Sequence, residues 1–153
     1  MNQMNLAPGP RISAETVHAS TVAKDGRAVL ISGPSGSGKS DLALRLLDRG
    51  FTLVSDDQTI VKKDGGRLLA SAPPTIAGKL EVRGLGMVEM ERVENVPVAL
   101  FIELTSDIQR MPDDSRERPV LGVKLPLISI SAMTASAPSK VALALDRMGL
   151  KFQ

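Results

Sequence analysis

The sequence predicts an α/β fold built on a mixed β-sheet with flanking helices, and three observations predict it. The apolar residues 28–31 precede a glycine-rich loop, and the amphipathic residues 40–49 follow it, so the order is strand, loop, helix. The apolar residues 51–55 come next and are expected to run parallel to the first strand, because a helical crossover joins the two. Turn signals that contain Asp-Gly, at Asp25 and Asp64, predict antiparallel hairpins.

The first hairpin leads into the glycine-rich loop. Residues 16–23 alternate enough to form a strand, and Asp25 and Gly26 favour a type I′ turn. With these two residues as the loop, the register sets His18 opposite Gly33. The only histidine is therefore expected beside the glycine-rich loop.

Two helices are predicted to flank the sheet. The first covers residues 40–49, and Gly50 is expected to cap its C-terminus. Its apolar stripe consists of Leu42, Ala43, Leu46 and Leu47. The second begins near Pro138 and stops at Gly149. The residues assigned to its inward face are Val141, Ala142, Leu145 and Met148.

The middle of the chain predicts a second hairpin and a short strand. Residues 59–62 and 67–70 are expected to pair across the loop 64–66. Residues 80–83 predict a short strand whose period of two places Glu81 and Arg83 on one face. The carboxylate of Glu81 and the guanidinium of Arg83 are then expected to project from the same side of that strand.

The last third predicts a buried strand over residues 96–104 and a polar, mobile loop over residues 107–118. Residues 120–130 predict a further strand region that is broken by Pro126.

Length and termini suggest one domain, residues 1–153, with residues 1–12 as a flexible tail. The tail lacks the hydrophobic core of a signal sequence, and no apolar stretch reaches membrane length. We therefore expect a cytoplasmic protein that makes no membrane contact.

Composition argues against several kinds of site. The net charge is only +2, and Lys and Arg are scattered among acids, which argues against a nucleic-acid surface. Three Phe and no Tyr or Trp leave no stacking platform for bases. Without cysteine and with a single histidine, a metal site is expected to use oxygen ligands, which points to Mg²⁺.

The glycine-rich loop fills every fixed place of the phosphate-binding pattern G-x-x-x-x-G-K-[ST]. Its eight residues are Gly33, Pro34, Ser35, Gly36, Ser37, Gly38, Lys39 and Ser40. In this pattern the backbone N–H groups surround the phosphates, Lys39 neutralises the β- and γ-oxygens, and the Ser40 hydroxyl ligates Mg²⁺. The motif predicts a bound nucleoside triphosphate.

An acid pair, Asp56 and Asp57, follows the strand after the first helix. Ligands collect at this carboxyl end of open α/β sheets. Two adjacent acids cannot share one orientation at a strand end, so one can serve the metal and the other can take the proton of a hydroxyl acceptor. An ordinary strand-ending Asx turn is the alternative, and the phosphate loop disfavours it.

Three arginines are candidates to contact a transferring phosphoryl group: Arg110, Arg116 and Arg118. Spacing alone does not choose among them.

The residues considered so far resemble the C-terminal catalytic domain of the bacterial HPr kinase/phosphorylase family. The resemblance covers roughly residues 15–130. It rests on His18, GPSGSGKS, RGFTLVSDD, GKLEVRGLG and LGVKLP. The string EVRGLG, residues 81–86, is similar to that family's signature, which a generic phosphate-loop protein does not need.

The resemblance implies ATP-dependent phosphorylation of a seryl hydroxyl on HPr, the phosphocarrier of the sugar phosphotransferase system. It also implies a fold similar to the nucleotide domain of phosphoenolpyruvate carboxykinase and a hexameric assembly. By position, Lys39 binds the phosphates, Ser40 and Glu81 are Mg²⁺ ligands, and Asp57 is the proton acceptor. His18 and Arg110 match the family's functional histidine and arginine, and Asp56 is left as a further metal ligand.

Three departures from the family affect these expectations, and one is that the stretch between Gly86 and Arg110, from which Arg110 is matched, is shorter than in the longer members. The longer members have a separate N-terminal domain that this sequence lacks, so a catalytic domain alone is expected. The family's Arg- and Gly-containing loop before the last helix, associated with dephosphorylation, reads SAMTAS at residues 131–136. Because a second anion would seek a cation there, weak or absent phosphorylase activity is expected.

Two other readings stay open. A non-catalytic ATP-binding regulatory module would use the same fold without turnover. A small-metabolite kinase would leave residues 81–86 unexplained. A regulatory GTPase is disfavoured, because the guanine-reading motif Asn-Lys-x-Asp does not occur.

Overall fold

The computed structural model describes residues 13–106 and 116–152. Within them the chain forms eleven strands, two α-helices and a 3₁₀ helix at Pro74–Ile76. In chain order the strands and helices are β1 (Ala14–Val17), β2 (Ala19–Lys24), β3 (Arg27–Ser32), α1 (Lys39–Leu47), β4 (Thr52–Ser55), β5 (Thr59–Asp64), β6 (Arg67–Ser71), β7 (Lys79–Val82), β8 (Gly86–Glu89), β9 (Val96–Leu104), β10 (Glu117–Val120), β11 (Val123–Ile130) and α2 (Ala137–Met148).

A mixed sheet organises the molecule, as predicted. Nine of the described strands belong to it, and its main path runs β1-β5-β6-β9-β3-β2-β4. The long strand β9 pairs in parallel with both β3 and β11, and its start pairs antiparallel with β6. Strands β7 and β8 form a separate two-stranded sheet. The parallel strands β3, β9 and β11 therefore end at one common edge.

The first hairpin has the predicted turn and register. Asp25 and Gly26 have φ values of 53° and 76°, as a type I′ turn requires. The ladder of β2 and β3 ends at Ala19 and Ser32, one position before the predicted pairing of His18 with Gly33. The single strand predicted over residues 16–23 was wrong, because the chain bends at His18 and β1 pairs with β5 instead.

Strand β4 runs in the same direction as β3, as predicted, but the two are not neighbours. Both pair antiparallel with β2, which lies between them. The start of β2 therefore lies between the carboxyl ends of β3 and β4 in the same sheet. This placement brings residues of β2 to the edge at which ligands collect.

Two apolar clusters lie on opposite faces of the sheet. Alternation along β3 sends Val29 and Ile31 to the first cluster and Ala28 and Leu30 to the second. Both helices pack on the first cluster: α1 contributes Leu42, Ala43 and Leu46, and α2 contributes Ala137, Val141 and Leu145. Phe101 lies in the second cluster. Neither helix of the described ranges is long and apolar enough to cross a membrane.

The helix boundaries differ slightly from the prediction. Helix α1 ends at Leu47, and Gly50 adopts the expected left-handed conformation with φ 91°. Met148, predicted to face inward, is exposed at the end of α2. Leu150 packs against the core in its place, and its N–H donates to Ala99 O at 2.9 Å.

Residues 116–130 form a hairpin and not a loop followed by a broken strand. Arg118 lies in β10, although the sequence predicted a mobile loop there. Pro126 lies inside β11, at the point where the partner changes from β10 to β9. Pro126 has no N–H to donate, but the next residue, Leu127, donates its N–H to Arg116 O at 3.1 Å and pairs with Phe101 of β9.

Candidate active site

The phosphate loop connects the end of β3 to the start of α1. Gly36 and Gly38 have φ values of 80° and 99°, which residues with a side chain rarely adopt. Gly33 is needed for space, because a Cβ there would lie 2.5 Å from Ser37 Oγ. The loop thus ends at the N-terminus of α1, where unpaired N–H groups favour phosphate oxygens.

Lys39 is buried within this loop, with 6% of its side chain exposed. Its ammonium donates to Gly33 O at 2.9 Å and to Pro34 O at 3.4 Å. Since an ammonium has three hydrogens, one remains for a phosphate oxygen. The two carbonyl oxygens hold the lysine side chain within the loop.

Asp56 is buried and accepts three hydrogen bonds. Its Oδ1 accepts from the hydroxyls of Ser40 at 2.6 Å and Ser20 at 2.8 Å. Its Oδ2 accepts from the backbone N–H of Glu81 at 3.0 Å. One carboxylate thereby joins β2, the phosphate-loop helix and the strand β7.

Asp57 differs from Asp56 in its backbone conformation, its exposure and its partners. Its φ is 68° and its side chain is 58% exposed. Oδ1 lies 2.8 Å from His18 Nε2 and 4.0 Å from Lys39 Nζ. An ionised carboxylate can only accept, so the Nε2–H donates to it. The exposed carboxylate faces solvent beside the phosphate-binding lysine, where a proton acceptor is useful.

The predicted metal ligands fit Mg²⁺ by their donor chemistry. Ser40, Asp56 and Glu81 offer hydroxyl and carboxylate oxygens, which are hard ligands. Over residues 13–106 and 116–152, no three His, Cys, Asp or Glu side chains cluster so as to hold a metal by themselves. Mg²⁺ commonly uses one or two carboxylates together with phosphates and water, so a full protein cage is not required.

The arginines considered in the sequence are not all placed at this site. Strand β7 ends at Val82, so Arg83 lies in the following turn, and the predicted pairing of Glu81 and Arg83 on one strand face was wrong. Arg110 lies outside the described residues. Arg116 donates to Ser129 Oγ at 2.9 Å and Glu103 Oε1 at 3.4 Å.

Arg118 is also engaged away from the site. Its guanidinium lies 5.0 Å from the centre of the Phe101 ring, on the face of the sheet opposite the helices. A cation over an aromatic face is a stabilising contact. Among the three candidate arginines, the two that the structure describes therefore have structural partners.

The loop over residues 131–136 lies against the phosphate loop. A Cβ placed on Gly38 would be 3.0 Å from the Cβ of Ala132. Arg45 of α1 donates to the carbonyl oxygens of Ala132 and Thr134. The Arg45 guanidinium is thus bound to the backbone of this loop.

Sequence reasoning missed Ser20, which contacts both aspartates. Its hydroxyl donates to Asp56 Oδ1, and it accepts from the N–H of Asp57 at 3.0 Å. Its only sequence signal was its place two residues after His18 in the predicted strand over residues 16–23, which in the structure is interrupted at His18. The partners are 36 and 37 residues away, which no local pattern reveals.

Comparison with known proteins identifies the family. The family model described as HPr Serine kinase C-terminal domain matches residues 11–145. The chain belongs to this family. The HPr serine kinase resemblance carried by residues 81–86 and 121–126 is thereby confirmed.

Members of the HPr kinase family agree with this assignment in fold and sequence. The solved HPr(Ser) kinase/phosphatase from Coxiella burnetii superimposes with a TM-score of 0.75 at 29% identity, covering 86% of this chain and 94% of that one. The HPr kinase/phosphorylase of Clostridium tetani is 34% identical over 137 residues, 82% of this chain and 43% of that protein. The Chlorobium phaeobacteroides protein of the same name is 35% identical over 126 residues, 74% of this chain and 37% of its own. The chain spans less than half the length of these curated relatives.

Proposed function

We propose that this chain is a protein-serine kinase that transfers the γ-phosphoryl group of ATP to a seryl hydroxyl of HPr. The observation that carries the proposal is the meeting of Lys39, Asp57 and His18 at one edge of the sheet, in a chain of the HPr serine kinase family. A phosphate-binding lysine and an exposed carboxylate 4.0 Å apart are two of the groups that phosphoryl transfer to a hydroxyl uses.

The phosphate loop and Lys39 hold the triphosphate in this proposal. The N–H groups at the start of α1 and the ammonium of Lys39 face the β- and γ-phosphates. When bound by Ser40, Asp56 and Glu81, Mg²⁺ supplies positive charge to the same oxygens. Asp56 keeps the Ser40 hydroxyl oriented through their 2.6 Å hydrogen bond.

Asp57 takes the proton. As the seryl oxygen forms its bond to the γ-phosphorus, the bond from that phosphorus to the β–γ bridging oxygen breaks, and the hydroxyl proton passes to the Asp57 carboxylate. His18 holds one oxygen of that carboxylate, which leaves the other for the incoming hydroxyl. Arg110 stays the predicted arginine for the transferring group, by family position alone.

The reverse reaction, phosphate-dependent removal of the seryl phosphate, is proposed to be weak. The loop over residues 131–136 carries no Lys or Arg, and Arg45 is engaged by its carbonyls. A second phosphate ion lacks a free cation from that loop. Brisk dephosphorylation of seryl-phosphorylated HPr in the presence of inorganic phosphate would overturn this part.

One experiment tests the kinase proposal. The purified chain is incubated with Mg²⁺, ATP and HPr, and phosphoserine is sought by mass spectrometry. HPr in which the acceptor serine is replaced by alanine is the matched control. Transfer to HPr and not to the control supports the proposal, whereas ATP binding without transfer would favour the non-catalytic regulatory module. Transfer to a small hydroxyl compound alone would favour the metabolite kinase.

The remaining expectations belong to the same proposal. A single catalytic domain, a hexameric assembly and a cytoplasmic location are predicted from the family resemblance and the composition. A fold similar to the nucleotide domain of phosphoenolpyruvate carboxykinase also stays a prediction.

A further inference from the structure

A buried serine joins the two aspartates of the candidate site. Ser20 lies in β2, is completely buried, and is opposite Ile31 of β3. Ser20 lies on the same side of β2 as Val22, which belongs to the helix-covered apolar cluster. A hydroxyl in such a place is costly unless its bonds are made.

The hydroxyl of Ser20 uses both of its hydrogen-bonding roles on successive residues. It donates to the side chain of Asp56 at 2.8 Å and accepts from the backbone N–H of Asp57 at 3.0 Å. A serine hydroxyl has one hydrogen to donate, so its donor role is spent on Asp56. One oxygen atom therefore fixes the carboxylate of the first aspartate and the backbone of the second.

The backbone contact has a consequence for Asp57. With φ at 68°, this residue is in the left-handed region, which side chains disfavour and which persists only where the surroundings hold it. The N–H bond to Ser20 is such a restraint, and the resulting backbone directs the Asp57 carboxylate to His18 and Lys39.

The side-chain contact has a consequence for Asp56. Its Oδ1 is shared by Ser20 and Ser40, and its Oδ2 is bound by Glu81 N–H. Removal of the Ser20 bond leaves the carboxylate with two donors instead of three, so the carboxylate and the Ser40 hydroxyl that donates to it are less firmly oriented.

We propose that Ser20 is a positioning residue for phosphoryl transfer, because its hydroxyl sets both the Asp56 carboxylate and the left-handed backbone of Asp57. This inference rests on the proposed kinase function. It assigns Ser20 no contact with the reacting atoms.

The kinetic test compares Ser20→Ala with Thr21→Val. Thr21 is the next residue of β2, is equally buried, and bonds Thr59 Oγ1 at 2.7 Å without contacting either aspartate. We expect Ser20→Ala to lower kcat by roughly 10–100-fold, the usual range for a group that orients a functional residue. ATP affinity measured without Mg²⁺ is expected to stay at the wild-type value. Thr21→Val is expected to lower stability while leaving kcat unchanged.

A spectroscopic readout tests the positioning without any turnover. His18 is the only histidine, so its ring nitrogen signals in NMR report the contact with Asp57 directly. Asp57→Gly is the reference for loss of that contact, since glycine accepts the left-handed backbone. At one fixed pH, the His18 signals of Ser20→Ala are expected to move toward those of Asp57→Gly, and those of Thr21→Val to match the wild type.

The two readouts separate the possible failures. If the wild type does not phosphorylate HPr, the kinase proposal fails, but the His18 signals still decide whether Ser20 positions Asp57. Wild-type His18 signals in a folded Ser20→Ala variant overturn the inference, as does an unchanged kcat. Equal changes of kcat and of the His18 signals in Ser20→Ala and Thr21→Val also overturn it, because loss of any buried hydroxyl of β2 would then have the same effect.

Discussion

At the scale of single residues, two adjacent aspartates have opposite environments. Asp56 is 6% exposed and accepts three hydrogen bonds. The Asp57 side chain is 58% exposed and bonds to His18. The backbone of Asp57 is left-handed, and its carboxylate lies beside His18 and Lys39. Chemically identical groups thereby suit different tasks: one orients a hydroxyl, and the other is free to accept a proton.

Asp57→Asn is expected to keep ATP binding and to lower phosphoryl transfer by roughly 10²–10⁴-fold, the range for a positioned general base. Asparagine tolerates the left-handed backbone, so the loss reports the missing charge and not a changed fold. Single-turnover transfer to HPr is the measurement. Asp25→Asn is the matched control, since Asp25 also has a positive φ but lies in the hairpin turn. Unchanged transfer in Asp57→Asn would remove Asp57 from the role of base.

At the scale of elements, the phosphate loop combines backbone freedom with close packing. Gly36 and Gly38 need positive φ, and Gly33 needs the absence of a side chain. One strand prediction was wrong at this scale. Pro126 predicted a broken strand, because proline removes a donor, but β11 changes partner at this residue and the missing N–H is not needed.

Gly33→Ala is expected to weaken ATP binding, because the new Cβ would lie 2.5 Å from Ser37 Oγ and 3.1 Å from Leu104 Cβ. Overpacking of this kind costs about 1–3 kcal/mol, and this strain, placed on the phosphate-binding conformation of the loop, corresponds to a roughly 5- to 150-fold loss of affinity. Nucleotide titration by calorimetry measures it.

A second substitution checks the steric cause. The double variant Gly33→Ala/Ser37→Ala removes the nearest atom and is expected to recover part of the affinity, with Ser37→Ala alone as the control. If the double variant binds ATP no better than Gly33→Ala, the contact with Ser37 Oγ is not the reason for the loss.

At the scale of the whole molecule, the site is assembled by the sheet. Strands β3 and β4 run in one direction with β2 between them, so the phosphate loop, the aspartates and His18 share one edge. The apolar cluster beneath α1 holds the phosphate-loop helix on the sheet. Ligand binding at this edge is therefore linked to the stability of the whole fold.

Mg²⁺ with ATP is expected to raise the melting temperature. At a ligand concentration about 100-fold above Kd the native state gains about 2.7 kcal/mol, or roughly 5–10 °C for a chain of this length. Lys39→Met is expected to lose most of this shift, because the buried ammonium is gone. Lys140→Met, on the exposed side of α2, is the control and should keep it. Differential scanning calorimetry measures the melting temperatures. An equal ligand-induced shift in both variants would contradict the assignment of Lys39 to phosphate binding.

The sequence by itself determined the α/β class, the type I′ hairpin register, the phosphate loop and the acid pair. Each depends on neighbours in the chain: apolar periodicity, turn residues and motif spacing. Glu81, His18 and Arg110 were also singled out from the sequence, but their roles came from the family resemblance and remain predictions.

Only the tertiary structure decided which side chains meet. His18 reaches Asp57 across 39 residues, and Ser20 reaches Asp56 across 36. It also decided that Arg116 and Arg118 have structural partners and that β2 separates β3 from β4. The physical reason is that such contacts follow from strand order and the packing of helices on a sheet, which are global properties of the fold, whereas periodicity and spacing describe only the local chain.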